Sequence, residues 1–366
     1  MSEKPPTPSF KPAIGIDVGT YTIVVARRNP QGDIEFRHDV NGYFEVAITN
    51  QTSMMINMLK QTKAPTYTPP DGKRIFVLGR KAREIAYSWS SMSNHNASEV
   101  FKRTMRDGIL SSADGKDTFN VLATMVNSMV RPVNFDGIPI AYPIPGQPYD
   151  QTDLVPQYHE KVIGQMLSRV DDHKTDPFAM NEAQAIVYAE CENEGFTGIG
   201  MSFGAGMTNV CFAVTGIPVF AFSIIGGGDS IDRGAAKHCG VDPVVVNVIK
   251  MGDENRPGID LKSQPSGEDE YVQRTIIMHY QILLDRVAQA FGEFVRANKA
   301  RVMGTKPSIV VAGGTASPNG FVEMLEERLR RVDMGGFNFG EVRKAPDNLY
   351  TVAKGLLRAA ETYDRK

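Results

Sequence analysis

The chain has 366 residues, enough for two domains of ordinary size, and 42% are hydrophobic, enough for substantial cores. A net charge of −2 gives no general attraction to nucleic acid or an anionic lipid surface. Cys191, Cys211 and Cys239 are too few and too widely spaced for a disulfide framework, and no apolar run approaches the ~20 residues that span a bilayer.

Residues 1–12 are proline-rich, lack an apolar signal core and read as a disordered, solvated tail, with a docking arm as the alternative. Ala13 to Val25 alternates around Gly19 and reads as two strands, and Asp33 to Arg37 continues as a third. Arg74–Leu78 reads as a strand, Arg80–Ser88 as a helix and Asn94–Ser98 as a polar loop. An amphipathic helix is predicted over Asp117–Met129, a buried strand over Ile138–Ile144 and a second helix over Asp153–Val170. Asn181 is placed to cap a helix running to about Glu194. A hairpin starts at Gly198, and a strand over Pro218–Ile225 runs into Gly226–Gly228. Helices follow over Asp229–His238 and Asp242–Met251, then a loop over Gly252–Glu268. Asp269–Ala300 carries an apolar face from Val272 to Val295 and reads as one long amphipathic helix. Ser308–Ala312 reads as a buried strand, Asn319–Val332 as a helix and Tyr350–Tyr363 as the last helix.

One motif occurs twice. Gly15–Ala26 and Gly200–Ala213 are each a short run, a tight glycine turn carrying Thr, and a β-rich return strand. Backbone N–H groups at such turns can approach phosphate oxygens because no Cβ intervenes. Two such turns far apart in sequence suit a nucleotide cleft between two related domains. The six histidines form no HxxH or Cys/His cluster, and GxxxxGK[ST] is absent.

These segments resemble the actin, sugar-kinase and heat-shock ATPase superfamily, and within it the bacterial actins of the MreB and MamK kind. Gly15-Ile-Asp-Val-Gly-Thr20 and Met201–Asn209 resemble its two phosphate motifs, Asn181–Ala189 and Asn348–Gly355 its two connecting helices, and Ile309–Gly314 its adenosine motif. Phe76–Ala82, Arg106–Ile109 and Ile224–Asp232 match further segments in the family's order. The resemblance implies an α/β, duplicated ribonuclease H-like, actin-like fold of two domains with a nucleotide cleft between them. Domain I would comprise 13–185 plus 346–366 with a small subdomain at about 39–100. Domain II would comprise 186–345 with a small subdomain at about 229–268.

The resemblance also implies ATP and Mg²⁺. Asp17 would hold the metal through water, as Mg²⁺ gives up water reluctantly; a turn-capping aspartate is the plain alternative. Gly19, Thr20 and Tyr21 would contact the terminal phosphates from one side, and Gly204, Ala205, Gly206, Met207 and the Thr208 hydroxyl from the other. Gly227, Gly228, Gly313 and Gly314 would line the base and ribose pocket, with Lys250 reaching the ribose or base edge or else solvated at a helix end. Glu182 would orient or polarise the attacking water. The family usually has aspartate where this chain has Ser202, and Asn209 replaces a commonly acidic or other polar residue, so slow hydrolysis is expected. Three functions fit: a cytoskeletal ATPase that polymerises with itself, a non-filamentous ATP-dependent switch or chaperone-like protein, and a small-molecule kinase. The first is preferred, with a cytoplasmic location, adaptor proteins as further partners, no direct nucleic-acid partner and no direct membrane anchor.

Overall fold

The computed structural model describes residues 11–92, 101–110, 115–149, 156–253, 256–302, 304 and 306–363. The expected tail up to residue 10, the loop at Asn94–Ser98 and residues 153–155 of the expected second helix lie outside them.

Two six-stranded sheets share one topology. In the first, β1 (Ile14–Val18), β2 (Thr22–Arg28) and β3 (Ile34–Val40) form an antiparallel meander. On the other side of β1, β8 (Ile138–Ile144) pairs parallel to it and β11 (His173–Asn181) parallel to β8. In the second, β12 (Gly198–Phe203), β13 (Met207–Val214) and β14 (Ile217–Ile225) repeat the meander. There β17 (Ile309–Ala312) and β18 (Val342–Lys344) repeat the parallel extension. The order 3-2-1-8-11 therefore recurs as 14-13-12-17-18. Short β10 (Arg169–Val170) extends the first sheet, and β9 (Gln147–Pro148) pairs with β14 in the second.

The first small subdomain is a four-stranded sheet of β4 (Tyr43–Ala47), β5 (Thr66–Tyr67), β6 (Arg74–Leu78) and β7 (Phe101–Lys102), with α1 (Ser53–Gln61) and α2 (Gly79–Met92). The second consists of α6 (Gly228–Cys239), α7 (Pro243–Met251) and a ribbon, β15 (Gly252–Asp253) with β16 (Arg256–Pro257), where the sequence reads as plain loop. Outer cores form against α3 (Lys116–Val130) and α4 (Pro156–Leu167) in the first domain. In the second they form against the long α8 (Glu270–Ala297), followed by short α9 (Lys299–Val302) and by α10 (Phe321–Arg331). The second expected helix is shorter than its pattern, because the chain turns into β10 at Arg169.

Two helices lie between the sheets. In α5 (Glu182–Glu190), Asn181 Oδ1 accepts from the N–H groups of Ala183 and Gln184, both at 3.1 Å, so the predicted cap forms. The helix ends at Cys191 rather than near Glu194. In α11 (Thr351–Thr362), Val352, Ala353, Leu356, Leu357 and Ala360 are buried. Small residues let backbones meet. A Cβ on Gly355 would overlap the Ala185 carbonyl, one on Gly15 the Ala353 carbonyl, and one on Gly200 the Ala183 carbonyl. Each sheet thus presses a first-strand glycine onto one central helix, and a third glycine lets the helices cross. A division of the chain at 185/186 falls inside α5, which packs against strands of both sheets.

Candidate functional site

Both glycine hairpins turn in the same way. Gly19 N–H donates to Thr22 O at 2.9 Å, and Gly204 N–H donates to Met207 O at 3.0 Å. The two turns touch: the place where a Gly206 Cβ would sit is 2.8 Å from Thr20 Oγ1. The carbonyls of the second turn are occupied from behind, since Gly226, Gly228 and Asp229 donate their N–H groups to Gly206, Gly204 and Ala205 at 2.9–3.0 Å. The N–H groups of Thr20, Tyr21, Ala205 and Gly206 find no acceptor among the described residues. Four donors left this way, on two facing turns, form a concavity for an anion.

The turns edge a cleft of about 520 Å³ between the domains, within the range of small-molecule sites. Asp17, Gly19, Thr20, Tyr21, Glu182, Gly204, Ala205, Gly206, Met207, Gly228, Lys250, Gly313 and Gly314 all line it. Thr208 and Gly227 do not. The Thr208 hydroxyl is fully buried and donates to Gly226 O at 3.1 Å, which is its strand-stabilising role. A Gly227 Cβ would overlap the Gly204 carbonyl, so this glycine seats the turn from behind. Lys250 is not a solvated helix-end lysine. It is 3% exposed, 2.6 Å from Asp232 Oδ1, and donates to Gly228 O at 3.0 Å.

Two carboxylates sit half-buried at the floor of the cleft. Glu182 opens α5, where the helix dipole favours negative charge. Its Oε1 accepts from Ser202 Oγ at 2.6 Å and its Oε2 from Asn209 Nδ2 at 2.8 Å, while Asn209 Oδ1 accepts from Gly146 N–H at 3.1 Å. Ser202 and Asn209 are directly opposite in the β12–β13 register, so the hairpin delivers both donors to one face. Burial pushes the Glu182 carboxyl up to about 7, and the Ser202 hydrogen bond pulls against that rise. Asp17 is held well above the usual carboxylate range by burial and then by the charge of Glu182. Its carboxylate has no cationic partner among the described residues.

A further set of contacts joins the domains at the cleft mouth. Arg103 donates to both carboxylate oxygens of Asp229, at 3.0 and 2.8 Å, and its guanidinium lies 4.5 Å from the Tyr21 ring centroid. Arg83 donates to the Tyr21 hydroxyl at 2.7 Å. In the Arg106–Ile109 turn, Asp107 and Gly108 both take positive φ, +47° and +86°, which brings Gly108 against Gly206. Beyond this gate lies an outer chamber of about 860 Å³ between the small subdomains. The sequence did not single out Arg103, His159, Asn247, Thr315 or Asn348 as site residues. The Ser202–Asn209 pairing was its one readable signal for the Glu182 clamp, because a four-residue turn over 204–207 fixes the register.

The fold is similar to solved structures of actin-like proteins. A MamK double helical filament is 16% identical, with 97% of this chain and 100% of that chain covered, at a TM-score of 0.66. A non-polymerising MamK mutant bound to AMPPNP is 16% identical, covering 96% and 99%, at 0.54. MreB5 of Spiroplasma citri bound to ADP is 13% identical, covering 94% of each chain, at 0.59. No curated protein matches the sequence. The Volactin family profile spans residues 13–360, nearly the whole chain, and the protein is a member of the Volactin family with an actin-like two-domain fold.

Proposed function

We propose that this protein binds ATP with Mg²⁺ in the interdomain cleft, hydrolyses it slowly and assembles head to tail into filaments. The observation that carries the reading is the pair of facing glycine turns, with four N–H groups that find no acceptor among the described residues, beside two carboxyl groups that have no cationic partner among them. The donor set fits the group. The amides suit phosphate oxygens, and Asp17, a hard oxygen ligand without a cation, suits Mg²⁺. Once bound, Mg²⁺ would offset charge on the phosphates. Gly313 and Gly314, at the end of β17, allow the backbone to approach the nucleoside. Glu182, clamped by Ser202 and Asn209, orients a water and in its ionised form accepts its proton. A neutral serine in place of an acid at 202 leaves one negative charge fewer beside the metal, which supports slow turnover.

Assembly follows from the same geometry. A ligand bridging both walls favours the closed state by its differential affinity. Head-to-tail stacking of closed protomers is a heterologous contact that need not close into a ring. The MamK filament and the nucleotide-bound MamK and MreB5 structures support this reading by likeness of fold. Calorimetry with ATP and GTP, then pelleting and negative-stain microscopy with ATP, ADP or no nucleotide, tests it. Binding with ATP-dependent polymers is the expected result. Binding without polymers favours the switch reading, to which Ser202 also lends support. Absence of any nucleotide uptake by folded protein overturns the proposal.

A further inference from the structure

The cleft wall contains a buried imidazole that the mechanism above does not use. His159, on α4, is 2% exposed and lines the cleft with Gly108, Pro143 and Pro145. Its Nδ1 accepts the Leu110 backbone N–H at 3.3 Å. That bond fixes the tautomer. With Nδ1 serving as acceptor, a neutral ring carries its proton on Nε2. Burial lowers the group to about 4, so the ring is neutral near pH 7. Nε2 has no partner among the described residues.

The position of the ring along the cleft sets what it can meet. Leu110 ends the segment whose Gly108 packs on Met207 and Gly206 of the second glycine turn. On β8 Pro143 follows Ala141 by two residues, as on the parallel β1 Asp17 follows Gly15, the partner of Ala141. His159 therefore stands beside the second glycine turn, on the domain I side of the cleft.

We infer that His159 donates a hydrogen bond from Nε2–H to the terminal phosphate group of the bound nucleotide, complementing from domain I the amides of the two turns. This rests on the nucleotide reading. It adds a neutral, donor-only contact that cannot serve as a base, leaving that role to Glu182.

Two isosteres separate the ring's two nitrogens. His159→Asn puts an acceptor near the Nδ1 position and removes the cleft donor; His159→Gln puts an amide N–H near Nε2 and removes the Leu110 acceptor. Phosphate release should fall about tenfold or more in His159→Asn, with thermal stability close to wild type. In His159→Gln it should stay within about twofold, with lower stability. Equal loss of turnover in both variants, or loss in neither, overturns the inference. Imidazole ¹⁵N NMR of the wild-type protein decides independently of how the variants fold. The free protein should show protonated Nε2, and that proton should shift with AMPPNP–Mg²⁺ but not with adenosine. An unmoved signal while calorimetry reports AMPPNP binding refutes the His159 contact alone, whereas no AMPPNP uptake refutes the nucleotide reading beneath it.

Discussion

Replacing Ser202 by alanine tests how the Glu182 carboxylate is kept usable. Ser202 is 2% exposed and donates at 2.6 Å to Glu182 Oε1. A hydrogen bond to a charged group contributes about 1.5–3 kcal/mol, and about 1.4 kcal/mol corresponds to one pKa unit. Losing this donor should therefore raise the Glu182 pKa by at least about one unit above its value near 7. At pH 7 the ionised share would drop from about one half to about one tenth, a roughly fivefold loss of phosphate release. At pH 9.5 the two proteins should converge, because Glu182 is ionised in both. The assay is phosphate release at saturating ATP and Mg²⁺ from pH 5.5 to 9.5. A bound cation lowers both midpoints, but the displacement between them remains. Midpoints coinciding within about 0.3 unit would refute the reasoning, because the serine would then contribute nothing to the charge state of Glu182.

Glu182→Gln fills the same space and keeps one acceptor oxygen but cannot take a proton. Phosphate release should fall by about 10² or more while ATP affinity measured by calorimetry stays within a few-fold. Gly355→Ala drives a methyl into the Ala185 carbonyl, so urea unfolding should show a loss of about 3 kcal/mol or a protein that does not fold. Arg103→Ala removes the pair with Asp229 and the cover on Tyr21, and small-angle scattering of the nucleotide-free protein should report a larger radius than wild type. His159 titrates near 4 in the folded state against about 6.5 unfolded, so the unfolded chain takes up its proton first as pH falls. Its stabilising share is intact above pH 6.5 and is lost between 6.5 and 4, up to about 3 kcal/mol, and urea unfolding of His159→Gln should lack that loss.

The parts of the fold that the sequence reveals are those with strong periodicity. The two glycine hairpins, the long amphipathic α8 and the capped start of α5 all form where the pattern puts them. The parts it hides have weak or conflicting patterns. In β11 only Met180 is buried and Pro177 interrupts the run, so local chemistry argues against a strand that parallel pairing with β8 nevertheless imposes. Strand β18 has three residues and depends on β17 for its existence. At the site, Thr208 and Asn209 are neighbours on one strand, so alternation sends them to opposite faces. Asn209 reaches Glu182 and Thr208 the Gly226 carbonyl, a choice that composition alone does not make. Arg103 and Asp229 are 126 positions apart, and only the folded arrangement of the two domains reveals their pairing.

The glycine crossing at positions 15, 200 and 355 restricts how this protein can evolve. At each of the three, the atom an added methyl would strike is a main-chain oxygen. A tight side-chain contact can be relieved by trimming the neighbour, but a peptide oxygen offers nothing to trim. A genetic screen starting from a substitution at any one of these glycines should therefore yield true revertants and few second-site suppressors.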